Sequence, residues 1–253
     1  MCKACLNIYD KFLFGSINPD EEIYFIFYEE AMPAYSRNYL KHLRQKYKSC
    51  KLVFCFTNPA VDMHSYLIKK WKDIKDLYDL GITFNKSDAD RLKILFCDYW
   101  PCLLPELDFE PDKSSDIFFV GQAKDRLQKI LKVYEHCRAL GLKCDFYVTG
   151  VPREEMQYPD DINYNELVTY RWLTYEEILQ HVINTKCVLE ILPFDQHYSS
   201  LRVNEALWYG KKLLTTNRHA EYEWFYNPER VKIFSDVSEI SADFITAKIP
   251  KQF

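Results

Sequence analysis

Short runs of apolar, β-branched and aromatic residues alternate along the chain with longer segments whose apolar positions recur every three to four residues. Runs of the first kind suit strands buried on both faces, and segments of the second kind suit amphipathic helices laid over them. Their alternation predicts β-α units around parallel sheets, a Rossmann-like α/β pattern. In the first half, 23–28 and 51–56 read as buried strands with a helix over 36–48 between them. A second helix is expected over 66–78, and short strands at 81–84 and 93–96. The stretch 99–115 carries Pro101, Pro105 and Pro111 without a helical period, so it reads as a linker with a domain boundary near Asp112. Beyond it, strand 116–120 ends at Gly121, and a helix over 125–140 stops at Gly141, with Leu127, Ile130, Leu131 and Tyr134 on one face. Strand 143–149 closes at Gly150, and a polar connection over 151–165 leads to a candidate strand at 167–172. Thr174 with Glu177 three residues on has the spacing of a capping box and opens a helix to 184. Strand 187–192, a polar loop, helix 201–209, Gly210 and strand 212–216 complete the pattern. The expected domains are therefore 1–112 and 113–253.

Composition narrows what such a protein can do. With 48% apolar and 16% aromatic residues the chain can bury a core, which excludes wholesale disorder. Its 33 basic against 37 acidic residues give a formal charge of −4, without the basic excess that a phosphate backbone demands, so nucleic acid is not an expected partner. Nine cysteines are scattered along the chain, some in the centres of predicted strands, as suits reduced, buried thiols. Cys2 and Cys5 form a Cys-x-x-Cys, but no second pair or His-x-x-x-His follows, and no metal is expected. No leader pattern or uncharged run long enough to span a bilayer is present, so the expected location is cytoplasmic. The segment 36–51 holds Arg37, Lys41, Arg44, Lys46, Lys48 and Lys51 without an acid, beside a stripe of Tyr39, Leu40, Leu43 and Tyr47. Such a helix can rest peripherally on anionic lipid, or it can be a solvated basic face over an ordinary core stripe.

The stretch from 190 to 217, EILPFDQHYSSLRVNEALWYGKKLLTTN, carries the most chemistry. A strand, a polar loop and a helix start place the free backbone N–H groups of 198–201, hence Ser199, Ser200 and Leu201, at the positive end of a helix, where a phosphate fits. Arg202 in the first turn could add a bidentate contact, and Glu205 one turn later could accept hydrogen bonds from ribose or sugar hydroxyls. An ordinary helix start capped by Ser199 or Ser200 explains the same pattern. In a second β-α corner, Gly121 permits close backbone approach, and Lys124 and Arg126 could neutralise a diphosphate. A solvated helix start is the plain alternative, and the Gly-x-Gly-x-x-Gly dinucleotide spacing is absent. Glu29 and Glu30 end the first strand where an acceptor hydroxyl could be met. The histidines show no ligand spacing, and only His197 falls in the candidate loop.

Taken together, the stretches DLGITFNKSDADRL, DIFFVGQAKDRLQKILKVYE, LKCDFYVTGV, WLTYEEIL, VLEILPFDQHYSSLRVNEALWYGKKLLTTN and EWFYNPERVKIF resemble the GT-B glycosyltransferase-like proteins of bacterial capsule and lipopolysaccharide gene clusters, with a family 4-like donor domain. The resemblance runs from about 77 to 237. It implies two Rossmann-like lobes with parallel sheets, the N-terminal, acceptor-side lobe being reduced, and metal-independent transfer of a sugar to a surface polysaccharide or lipopolysaccharide acceptor. It implies no cofactor, the nucleotide-diphosphate sugar being the donor substrate, and a glycan or lipid-linked glycan as the acceptor. By the same resemblance Gly121, Lys124, Arg126, Ser199, Ser200, Leu201, Arg202 and Glu205 would hold the donor, with Trp172 and Leu173 near its base. The chain departs from the pattern at His197, which stands eight positions before Glu205 where many such enzymes carry an acid. No catalytic base is assigned, and a non-catalytic nucleotide-binding or accessory subunit of a polysaccharide biosynthesis complex is the alternative.

Overall fold

The computed structural model describes residues 15, 17, 18, 20–28, 36–58, 65–97, 106–151, 167–169, 171–193 and 199–249. The chain divides into two compact units, Met1–Tyr99 and Trp100–Phe253, the first being the smaller. Their division falls within the proline-bearing stretch 99–115.

In the first unit, β1 (Ile23–Tyr28), β2 (Cys50–Phe56), β3 (Leu80–Thr83) and β4 (Leu95–Phe96) form a parallel sheet in chain order. Strand β2 is apolar almost throughout because it lies between neighbours and is buried from Leu52 to Phe56. Helices α1 (Arg37–Lys46) and α2 (Ser65–Ile74) pack on the same face, where Leu40, Leu43, Trp71 and Ile74 meet Phe25, Phe27, Phe54 and Phe56. Helix α3 (Lys86–Leu92), which hydrophobic periodicity does not reveal, starts at Asn85, whose side chain accepts from Asp88 N–H. It is a short, cap-driven turn of helix with a largely polar sequence.

Helix α1 bears on the expected contact with anionic membrane. Ser36 caps it by accepting from Tyr39 N–H, and Tyr39, Leu40, Leu43 and Tyr47 are all buried in the core. Arg37 reaches both carboxylate oxygens of Asp76 at 2.7 Å, and Arg44 holds the Leu77 carbonyl and Asp79. The apolar stripe is thus spent on packing, and Arg37 and Arg44 are paired within the unit. The apolar side of α1 is turned into the core of the unit and not toward solvent. Among the described residues, no helix is long and apolar enough to cross a membrane.

The second unit is wound on both faces. Its strands β5 (Ser115–Gln122), β6 (Cys144–Thr149), β7 (Thr185–Glu190), β8 (Lys212–Thr215) and β9 (Val231–Ile233) are parallel and lie in the order β6-β5-β7-β8-β9. Val168 adds one parallel bridge to Val148 outside β6, so the spatial order follows the doubly wound Rossmann pattern. The strand expected at 167–172 is reduced to that bridge because the Thr169 hydroxyl accepts from Arg171 N–H and turns the chain towards the next helix. Helices α4 (Leu127–Ala139) and α7 (Ala242–Thr246) cover one face, with Ile130, Val133 and Ile245 against Ile117, Phe146 and Leu189. Helices α5 (Tyr175–Asn184) and α6 (Leu201–Trp208) cover the other, with Val182, Val203 and Ala206 against Phe118, Val188 and Leu213. Both halves of the Thr174–Glu177 capping box are formed, at 3.2 and 2.8 Å.

The packing of α1 makes a direct prediction. Leu43 has no exposed surface, so Leu43→Ala should cost about 2–5 kcal/mol in denaturant unfolding, as for a core leucine. A loss under about 0.5 kcal/mol, the usual range for surface positions, would show that the stripe is not packed.

Candidate functional site

In a doubly wound sheet, ligands gather beyond the carboxyl ends of the strands where the strand order reverses, because the crossovers there diverge and leave a crevice. In the second unit that point lies between β5 and β7. Three segments meet there: the turn after β5, the end of β7 and the start of α6.

Glu190, the last residue of β7, is the centre of the arrangement. It is 2% exposed, and its carboxylate accepts from Ser200 N–H at 2.7 Å and from the Thr215 hydroxyl at 2.5 Å. Thr215 Oγ1 in turn accepts from Asn217 N–H, and the Asn217 side-chain amide donates to Ser199 Oγ at 3.5 Å. Burial pushes the Glu190 carboxyl up from its ordinary range, while the Ser200 and Thr215 hydrogen bonds and the Arg126 charge pull it back. Sequence reasoning passed over Glu190. The signal was a single acid in the otherwise apolar run CVLEIL, where a charge is tolerated only if partners wait for it.

Arg126 reaches across the switch point. Its Nη1 donates to the Ile191 carbonyl, just past β7, while Nε and Nη2 donate to the Gln122 carbonyl at 3.2 and 3.1 Å. The guanidinium lies 5.8 Å from the centre of the Phe119 ring. Burial lowers its pKa, opposed by Asp125 and Glu190. Arg126 therefore ties β5 to β7 through backbone carbonyls. A Cβ at Gly121 would stand 2.8 Å from Arg126 Nη2. The missing side chain makes room for the guanidinium. Lys124 is exposed in the turn, with φ at +44°, a left-handed conformation uncommon outside glycine.

Ser200 caps α6, its hydroxyl accepting from Arg202 N–H at 3.3 Å, and Leu201 is an exposed first helical residue. Arg202 Nη1 lies 2.5 Å from Glu205 Oε2. Glu205 is 4% exposed and both its oxygens are enclosed. Burial pushes its carboxyl up to about 7 against the pull of Arg202 and of a hydrogen bond from Tyr175. Lys212, another conceivable partner, instead donates to the Phe244 carbonyl. Glu205 thus enters the site by holding Arg202 in place.

Trp172 is 65% exposed and Leu173 half-buried, just ahead of the α5 capping box. The first residue of that helix, Tyr175, is the one that meets Glu205. Glu29, Glu30, Tyr170, Gln196 and His197 lie outside the described residues. Among the described residues no group of three or more His, Cys, Asp or Glu side chains is placed to hold a metal ion.

No protein-family model and no curated protein matches the chain. Among solved structures it is similar to a glycosylation-associated protein complex (Gap123) from Streptococcus agalactiae, with a TM-score of 0.54 at 11% identity over 95% of this chain and 51% of that one. It is similar to the accessory secretory protein 1, 2 and 3 structure from Streptococcus pneumoniae, with a TM-score of 0.53 at 11% identity over 97% of this chain and 50% of that one. The glycosyltransferase SnogD from Streptomyces nogalater aligns with a TM-score of 0.46 at 14% identity over 90% of this chain and 63% of that one. The chain spans about half the length of the first two. At such identities the likeness shows the fold alone. That fold is α/β, with two units each built on a parallel sheet, the second in the Rossmann strand order.

The enclosed Glu205 carboxyl has a consequence for stability. Its folded pKa of about 7 stands above the ordinary value of 4.5, so between those pH values the native state holds a proton that the unfolded chain has released. Stability from this group is full below pH 4.5 and is lost as pH rises to 7. Unfolding free energies across that range should fall less steeply with pH in Glu205→Gln than in wild type. Parallel curves for the two proteins would mean that Glu205 is ionised throughout.

Proposed function

We propose that the chain is a glycosyltransferase-like protein whose second unit binds a nucleotide-diphosphate sugar and passes the sugar to a surface polysaccharide, lipopolysaccharide or lipid-linked glycan acceptor. The observation that carries this reading is the convergence at the β5–β7 switch point. There the α6 N-terminus, with Ser199, Ser200 and Arg202, meets the turn that carries Lys124 and Arg126. Phosphate oxygens would be met by the positive end of α6. Arg202 would add charge, and Lys124 would approach from its exposed turn. The helix dipole and these cations supply positive charge at the diphosphate, so no divalent ion is required in this reading.

A second reading, that of a non-catalytic subunit in a glycosylation assembly, is favoured by a specific observation. Arg126 and Arg202 are already engaged, by backbone carbonyls and by Glu205 respectively. Two similar structures with TM-scores above 0.5 are described as a glycosylation-associated complex and accessory secretory proteins, and this reading accordingly gives the chain protein partners.

Titration with UDP, GDP and CDP sugars, with assay of released nucleotide in excess chelator, separates the readings. The transferase should show slow donor hydrolysis that survives chelation, and the accessory reading calls for binding without turnover. Arg202→Ala should weaken nucleotide-diphosphate affinity by about 1.5–3 kcal/mol, the range for losing a charge-assisted hydrogen bond. Unchanged affinity in a folded variant would remove the ligand from α6.

A further inference from the structure

Strand β9 is the outer strand of the second sheet, and among the described residues no strand lies beyond it. Backbone groups of alternate residues in a strand point to opposite sides, so those of Arg230, Lys232 and Phe234 face β8. Leu213 N–H donates to the Arg230 carbonyl at 2.8 Å, and Phe234 N–H donates to the Thr215 carbonyl at 2.9 Å. The backbones of Val231 and Ile233 therefore face away from the sheet. Val231 N–H turns back to the Asn227 carbonyl at 2.7 Å. The Val231 carbonyl and both backbone groups of Ile233 are left along the outer edge, an acceptor, a donor and an acceptor in chain order.

A cavity of about 560 Å³ runs along this edge. Ile233, which packs with the apolar cluster beneath α5 and α6, lines it from one face of the strand. Lys232 lines it from the other face, with its ammonium 5.8 Å from the centre of the Phe244 ring of α7. A space bounded by both faces of one strand lies at that strand's edge. Tyr226, 38% exposed, and Arg218 in the turn after β8 also line it. Arg218 donates to the Ser235 hydroxyl at 3.2 Å, so the groups that the two cations meet are neutral. Glu221 is the one acid among the described lining residues. We propose that the outer edge of β9 takes up an extended acidic peptide segment of a partner protein as a further strand. This edge lies two strands from β7 and stands independently of the nucleotide reading.

The edge selects the chemistry of what it binds. The main chain of an added strand supplies the matching donors and acceptor whatever its sequence, and its side chains alternate between the two faces. Those on the Ile233 side meet apolar surface, which favours apolar residues. Those on the Lys232 side meet a cation with no carboxylate beside it, so an acidic residue there gains a charge-assisted hydrogen bond. Strand β9 is only Val231–Ile233, few main-chain bonds can form, and the charge contacts must carry much of the selectivity. A second copy of β9 is a poor occupant. Antiparallel self-pairing about Lys232 sets that lysine against its own copy, and like charges directly opposite are destabilising. Lysine on a short edge strand guards against such pairing, and an acidic segment is the partner that this guard admits.

The probe is a fluorescein-labelled hexapeptide alternating valine and aspartate, titrated with the full chain and followed by fluorescence anisotropy. Two comparators run beside it: a peptide alternating valine and lysine, and the valine–aspartate peptide N-methylated along its backbone. The acidic peptide should bind saturably and more weakly as salt rises. Each comparator should bind at least about tenfold more weakly, for want of the charge-assisted or the main-chain hydrogen bonds. Lys232→Glu and Arg218→Glu, each checked for folding by circular dichroism, should weaken the acidic peptide and bind the lysine peptide better than wild type does. The proposal is overturned if the acidic peptide fails to bind at millimolar protein, or if its N-methylated form binds equally, which would leave only attraction between surface charges. It is also overturned if both charge reversals leave the affinity unchanged, or if sedimentation shows a wild-type dimer that Ile233→Pro separates, which would make a second copy the occupant.

Discussion

An ionisable side chain enclosed in a protein must be met by hydrogen-bond donors, because unpaired it costs several kcal/mol. Glu190 is such a group, and the satisfaction of its carboxylate organises the carboxyl end of the second sheet. One oxygen takes the N–H that opens α6 and the other takes the hydroxyl of Thr215 at the end of β8. Neither donor can move away without stranding the carboxylate. The neighbouring strand end and the helix start are thereby fixed to β7, and Asn217 extends the tie to Ser199.

Arg126 does the corresponding work on the other side of the switch point. Its hydrogen bonds go to neutral carbonyls of residues 122 and 191, so it joins two strand ends without a carboxylate in direct contact. Its charge is felt by Glu190 instead. With Arg202 set against Glu205, both arginines of the site are engaged within the protein. At the start of α6 the Ser200 N–H goes to Glu190, the Arg202 N–H to the Ser200 hydroxyl and the Val203 N–H to the Ser200 carbonyl, so the helix start is tied down by its own neighbours, while Lys124 stands exposed.

The two units use their sheets differently. In the second, helices pack on both faces and produce two separate apolar clusters, so its central strands read as continuous apolar runs. In the first, α1 and α2 share one face, and Tyr24, Ile26 and Tyr28 on the opposite side of β1 are 59, 53 and 45% exposed. The alternation of β1 against the unbroken burial of β2 is the local trace of that difference.

Much of this was legible in the order of residues. The parallel strands, the α4 stripe of Leu127, Ile130, Leu131 and Tyr134, and the Thr174–Glu177 capping box follow from periods and spacings that act within a few residues. The presence of Gly121, Arg126, Ser200, Arg202 and Glu205 in two β-α corners was equally visible. Their partners were not, because a partner is set by strand order rather than by spacing. That Gly121 makes room for a guanidinium, that Arg126 ends on a carbonyl 65 residues away, and that Glu205 faces Arg202 in an enclosed space were decided only when β7 inserted beside β5. The same holds for Glu190. Sequence reports which polar groups exist, while burial and contact across the sheet determine which of them are left to meet a ligand.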